Sequence, residues 1–196
     1  MIVEERMRTY INSLDMGNTD FLESLEKEAL SSGVPIIRRE MQSFIKVLLA
    51  VKKPERILEV GTAVGFSTLL MCEYGPEKLQ VTTIENYEKR IPIARENFAK
   101  AGRSHQITLL EGDAGQILRE LEPGFDLIFM DPPYEKGLER QVLEYLAEST
   151  LADEHTLIIA EADLHTDFSY VEEIGYEISR SKEYKTNKHV FLYKRK

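Results

Sequence analysis

Arg56-Ile57-Leu58-Glu59-Val60-Gly61-Thr62-Ala63-Val64-Gly65-Phe66-Ser67 is the stretch on which the fold turns. An apolar run of strand length ends in a glycine-bearing turn and passes directly into a helical segment over residues 66–74. Outward from it the alternation repeats. Strands are predicted at VTTIE (81–85), ITLLEGD (107–113), DLIFMD (126–131) and TLIIAEA (156–162), with helices over 87–101, 114–121 and 138–149 between them. Strands this apolar are covered on both faces, and the alternation calls for parallel pairing through right-handed crossovers. A weaker helix is predicted over 167–173, followed by YEISRSKEYK (176–185) and HVFLYKR (189–195). Thr186, Asn187 and Lys188 are too short a join for a helical crossover, so this last pair is expected to be an antiparallel hairpin. The expected class is α/β: a Rossmann-like, doubly wound seven-stranded sheet, mostly parallel.

Upstream, residues 2–14, 19–31 and 38–51 read as amphipathic helices. In the third, Met41, Phe44, Ile45, Leu48 and Leu49 recur on one face. The expected organisation is a helical cover over 1–55 and a core over 56–196, within one domain. The length of 196 residues suits that size. No apolar stretch approaches a membrane span, the first twenty residues have no signal-peptide core, and the lone Cys72 cannot pair internally, so a reducing cytoplasm is expected. Net charge is −9, which alone argues against broad binding of nucleic acid. Arg180, Lys182, Lys185, Lys188, Lys194, Arg195 and Lys196 stand against the single acid Glu183, however. That terminus is either a solvated end that aids solubility or a candidate docking surface for RNA.

In an open α/β sheet, ligands sit outside the carboxyl ends of the strands. The first turn lacks the glycines of a dinucleotide fingerprint, with Ala63 and Phe66 in their places. Glu59 is poor company for a pyrophosphate but suits a ligand bearing ammonium and sulfonium charges. Glu85 ends the second strand, placed to accept from two ribose hydroxyls. Asp113 and Ala114 follow the third, where a carboxylate and an N–H can read an adenine edge. S-adenosylmethionine fits all three strand ends.

The motifs VPIIRREMQSFIKVLL, RILEVGTAVGFSTLLM, VTTIE and LLEGDA resemble bacterial class I O-methyltransferases of the catechol and caffeoyl-CoA type, a group that includes enzymes methylating 5-hydroxyuridine in tRNA. The resemblance implies cofactor roles for Glu59, Gly61, Thr62, Ser67, Glu85, Asp113 and Ala114, and N-terminal helices that cover the site and support a homodimer. Such enzymes hold a divalent metal with an Asp after strand four and an Asp-Asn pair after strand five. Here the sequence offers Asp131 and then Glu161-Ala162-Asp163. A metal is not expected, and Asp131 and Glu161 are its candidate ligands.

The motif Asp131-Pro132-Pro133-Tyr134 resembles methyltransferases acting on exocyclic amines of nucleobases, and the C-terminal part is similar to rRNA guanine-N2 methyltransferases. Asp131, also a cofactor contact, and the Pro132 carbonyl would accept from the amine and favour a pyramidal nitrogen, while Tyr134 would stack on the base for roughly 1 to 3 kcal/mol. The favoured acceptor is therefore an amine of an RNA base. A hydroxylated aromatic or a tRNA hydroxyuridine is the alternative, and a cofactor-binding scaffold without catalysis is a second. His105, His155, His165 and His189 lack metal-ligand spacing and are expected at the surface or in structural roles. Cys72 is expected to be a small buried apolar residue, and Tyr184 and Tyr193 either stack on RNA or pack the hairpin.

Overall fold

The structure is a computed structural model, and it describes residues 17–132 and 137–196. The predicted helix over 2–14 lies outside the described residues. Two helices come first, α1 (Asp20–Ser31) and α2 (Arg39–Lys52). Then strands and helices alternate: β1 (Arg56–Val60), α3 (Phe66–Tyr74), β2 (Gln80–Glu85), α4 (Ile91–Lys100), β3 (Ile107–Glu111), α5 (Ala114–Ile117), β4 (Leu127–Met130), α6 (Leu138–Glu148), β5 (Leu157–Asp163), β6 (Tyr176–Glu183) and β7 (Asn187–Lys194). They form one seven-stranded sheet in the order β3-β2-β1-β4-β5-β7-β6. The first five strands are parallel, and β7 pairs antiparallel with both β5 and β6. The doubly wound sheet and its antiparallel terminus are as expected.

Two corrections concern local structure. The segment 167–173 forms only the short 3-10 turn Ser169–Val171. Asp167 directs that turn, its carboxylate accepting from the N–H and hydroxyl of Ser169, an arrangement that competes with a longer helix. The hairpin link is shifted two residues toward the N-terminus, to 184–186, because β6 stops at Glu183 and Asn187 and Lys188 already pair with Asp163 and Ala162 as part of β7.

The sheet carries a core on each face. On one, Leu22, Leu25, Met41, Ile45 and Leu49 of α1 and α2 pack with Leu69 and Leu70 of α3 against Ile57, Phe129 and Ile159. On the other, Val142, Leu143 and Leu146 of α6 pack against Leu58, Ile128, Ile158 and Leu192. Cys72 is buried in the first core, and burial pushes its thiol up to about 12. The helical cover thus shares a core with the sheet, which fixes the loop between α1 and α2 above the strand ends. Gln42 tightens that loop, donating to the Ile37 carbonyl at 3.0 Å and to Glu26 at 3.1 Å.

Candidate active site

The strand order reverses at β1, which lies between β2 and β4. A cavity of about 720 Å³ opens there, outside the carboxyl ends of the strands. Its wall brings together Gly61, Thr62, Ser67, Glu85, Asp113, Ala114, Asp131 and Pro132, residues the sequence reading selected. Tyr134 lies outside the described residues.

The first turn is held by backbone bonds. The N–H groups of Gly61 and Thr62 both donate to the Ile84 carbonyl, at 3.0 and 3.2 Å. Gly61 has φ +107°, and a Cβ there would sit 3.0 Å from the Asp131 carbonyl oxygen. A side chain at 61 would therefore be strained by its backbone and crowded by β4. Glu85 is almost wholly buried, and its carboxylate accepts from Ala63 N–H (2.7 Å), Tyr87 N–H (2.9 Å) and Asn86 N–H (3.1 Å). Those backbone donors fix the carboxylate at the cavity wall, and a carboxylate has about four acceptor directions, so room for a further donor remains.

Glu59 corrects the sequence reading. It is fully buried beneath the turn and is not among the cavity's lining residues. Its oxygens accept from Ser67 Oγ at 2.5 Å, Thr83 Oγ1 at 2.6 Å and Thr68 Oγ1. Burial raises its carboxyl above the usual range, opposed by those hydroxyls. Thr62 Oγ1 joins the network through Thr83 Oγ1 at 2.6 Å. Glu59 therefore ties the turn, the start of α3 and β2 together instead of facing a ligand.

At the other end of the cavity stand Asp131, Glu161 and Asn187. Burial first, then the charges of Glu161 and Glu59, push the Asp131 carboxyl up to about 8. Glu161 lies in β5, two residues before its end, and is bonded from β7: Asn187 Nδ2 donates to Oε1, and His189 Nε2 lies 2.7 Å from Oε2. Asn187, His189 and the Pro35 to Arg38 loop were not selected from the sequence as site residues. The signal for the first two was the alternation of NKHVFLY, which puts Asn187, His189 and Phe191 on one strand face. His189 is only 2% exposed, so the structural role expected for it holds and a surface one does not. Tyr184 packs edge-on against the His189 ring, with centroids 5.0 Å apart, which places it with the hairpin.

The donor set does not fit a resident divalent cation. Among the described residues no three acids, histidines or cysteines converge as a metal site. Ala162 is packed in the core at the position where the resemblance places a ligand.

The basic terminus is partly consumed internally. Lys194 Nζ donates to the Ser149 carbonyl at 2.9 Å, Lys188 Nζ to the Leu164 carbonyl at 3.0 Å, and Arg195 pairs with Glu172. Among the described residues, no helix is long and apolar enough to cross a membrane.

The fold and the site define a class I methyltransferase-like architecture with its cavity at the switch point. The sequence profile of the O-methyltransferase family matches residues 12–136, more than half of the chain, and the chain belongs to that family. It is 32% identical over 139 residues to a catechol O-methyltransferase of Niastella koreensis, covering 66% of this chain and 63% of that one. It is also 31% identical over 107 residues to a tRNA1(Val) (adenine(37)-N6)-methyltransferase of Haemophilus influenzae, covering 52% and 46%. The chain spans less than two thirds of the length of these curated relatives. In fold it matches an O-methyltransferase from Bacillus cereus crystallised in complex with SAH, with TM-score 0.74, 19% identity and coverage of 95% and 96%. That likeness in fold runs through the C-terminal half as well as the N-terminal half.

Proposed function

We propose that the protein is an S-adenosylmethionine-dependent O-methyltransferase acting on a hydroxylated aromatic molecule. The observation that carries this reading is that one cavity is lined both by Gly61, Glu85, Asp113 and Ala114, from the ends of β1, β2 and β3, and by the carboxyl groups of Asp131, after β4, and Glu161, in β5. The residues fit the cofactor: Glu85 offers a fixed carboxylate to a ribose, and Asp113 with Ala114 suits an adenine edge. When bound, S-adenosylmethionine supplies an electrophilic methyl group on a sulfonium.

The chain's own residues position and desolvate. Glu85 holds the cofactor end in register, and the Pro35 to Arg38 loop forms part of the cavity wall. The acceptor end carries carboxyl and amide oxygens, which select a ligand that brings hydrogen-bond donors. A hydroxyl oxygen replaces the RNA-base amine as the favoured acceptor, since the family profile and the catechol O-methyltransferase of Niastella koreensis both support oxygen.

A second reading, methylation of an exocyclic amine of an RNA base, is supported by Asp131 and Pro132 in the cavity wall and by the likeness to a tRNA adenine-N6 methyltransferase. A homodimer through the helical cover is supported by Val47 and Val51, exposed on α2, and Leu30, exposed on α1. Incubation with methyl-labelled S-adenosylmethionine, catechol and unmodified tRNA separates the readings. Label in methoxyphenol is the expected product. Label confined to tRNA adenine would establish the second reading, and binding of cofactor without any product would leave a cofactor-binding scaffold.

A further inference from the structure

Glu161 and His189 face each other directly across the antiparallel β5–β7 pair, with Asn187 on the diagonal. The carboxylate of Glu161 accepts from both, one residue on each oxygen. His189 Nδ1 is buried and has no hydrogen-bond partner among the described residues. A proton there would be an unsatisfied buried N–H, so the ring is assigned its proton on Nε2, facing Glu161. Two N–H donors suit an ionised carboxylate. Asn187 lines the cavity, is only 2% exposed, and its Oδ1 also lacks a partner among the described residues. A buried carbonyl oxygen in that state is satisfied by a ligand that brings a donor.

We propose, resting on the methyltransferase reading above, that Glu161 takes the acceptor's proton and that His189 and Asn187 are the positioning residues that aim it. The antiparallel strand β7, which the parallel sheet does not need for closure, thereby completes the acceptor end. As the acceptor oxygen forms its bond to the methyl carbon, the methyl–sulfur bond breaks and its electron pair stays on sulfur. The hydroxyl proton passes to a Glu161 carboxylate oxygen, so one positive and one negative charge disappear together. Glu161 returns the proton to water when product leaves.

The test uses the full chain with catechol as probe, in wild type, Glu161→Gln, His189→Gln, His189→Phe and Asn187→Ala. Affinity for S-adenosylhomocysteine, read by calorimetry, stays within about twofold in all of them, because none of these side chains lies at the cofactor end. Glu161→Gln lowers kcat by about 100-fold, the scale of general-base catalysis. His189→Phe lowers kcat by about tenfold with a smaller change in KM, whereas His189→Gln, which keeps an N–H at the Nε2 position, stays within about threefold of wild type. Asn187→Ala weakens catechol binding to the S-adenosylhomocysteine complex by about tenfold. If wild type itself transfers no methyl to catechol, the underlying reading falls and this assignment with it. If wild type is active and Glu161→Gln keeps its kcat, the assignment of the base alone is overturned. Equal damage from His189→Gln and His189→Phe reduces His189 to packing and overturns its positioning role. That comparison also decides the matter should Glu161→Gln fail to fold. Unchanged catechol binding in Asn187→Ala removes Asn187 from the site.

Discussion

Asp131 shows how a single residue records the chemistry of its surroundings. Its carboxyl sits in a wall with Glu161 and close enough to Glu59 to feel both charges, and its acidity is held at about 8 against an ordinary 3.8. Between those values the folded chain keeps a proton that the unfolded chain has released, so stability falls as pH rises across that window. Asp131→Asn removes the penalty. Its stability advantage over wild type, measured by urea denaturation, is expected to grow by on the order of 1 kcal/mol per pH unit between about pH 5 and 7. A constant difference over that range would mean that Asp131 ionises normally. Glu85 makes a prediction about binding instead, since its carboxylate is fixed by N–H donors from the turn after β1 and the loop after β2. Glu85→Ala is expected to weaken S-adenosylhomocysteine binding by about 10- to 100-fold, the value of hydrogen bonds to a charged group. Calorimetry on the folded variant checks it.

At the scale of elements, the turn between β1 and α3 depends on Gly65 as much as on Gly61. Gly65 has φ +85°, and a Cβ there would overlap the Phe98 ring of α4. Gly65→Ala is expected to cost about 2 to 4 kcal/mol, from left-handed strain plus overpacking, read as a lowered denaturation midpoint with an unchanged slope. The glycines, the strand-length apolar runs and the acids at the strand ends made this element legible in sequence. Glu59 was legible as an acid at a turn but not as a buried one, because the Ser67, Thr68 and Thr83 hydroxyls that claim it come from two different elements. The partnership of Glu161 with His189 was invisible for a related reason: it depends on the register of β5 against β7, which local patterns do not encode. The helix expected over 167–173 does not form because Asp167 and Ser169 bond locally instead.

At the scale of the whole molecule, a chain with net charge −9 places its acids where they matter and its excess bases at one edge. Strand β6 is the last strand of the sheet, and Arg180 and Lys182 are exposed on it. Charged residues on an edge strand discourage pairing with other chains, which accounts for them without a partner. Lys188, Lys194 and Arg195 are tied to the protein's own carbonyls and to Glu172. The helical cover, the first turn and the terminal hairpin, distant in sequence, converge on one cavity, and Arg38 of the cover bonds Thr186 of the hairpin across it. The central claim is that this cavity is a cofactor site. Titration of the wild-type chain with S-adenosylhomocysteine in a calorimeter tests it most directly, with Glu85→Ala alongside. Binding at one site per chain, lost or strongly weakened in the variant, is the predicted result; no binding, or equal binding by both proteins, would contradict it.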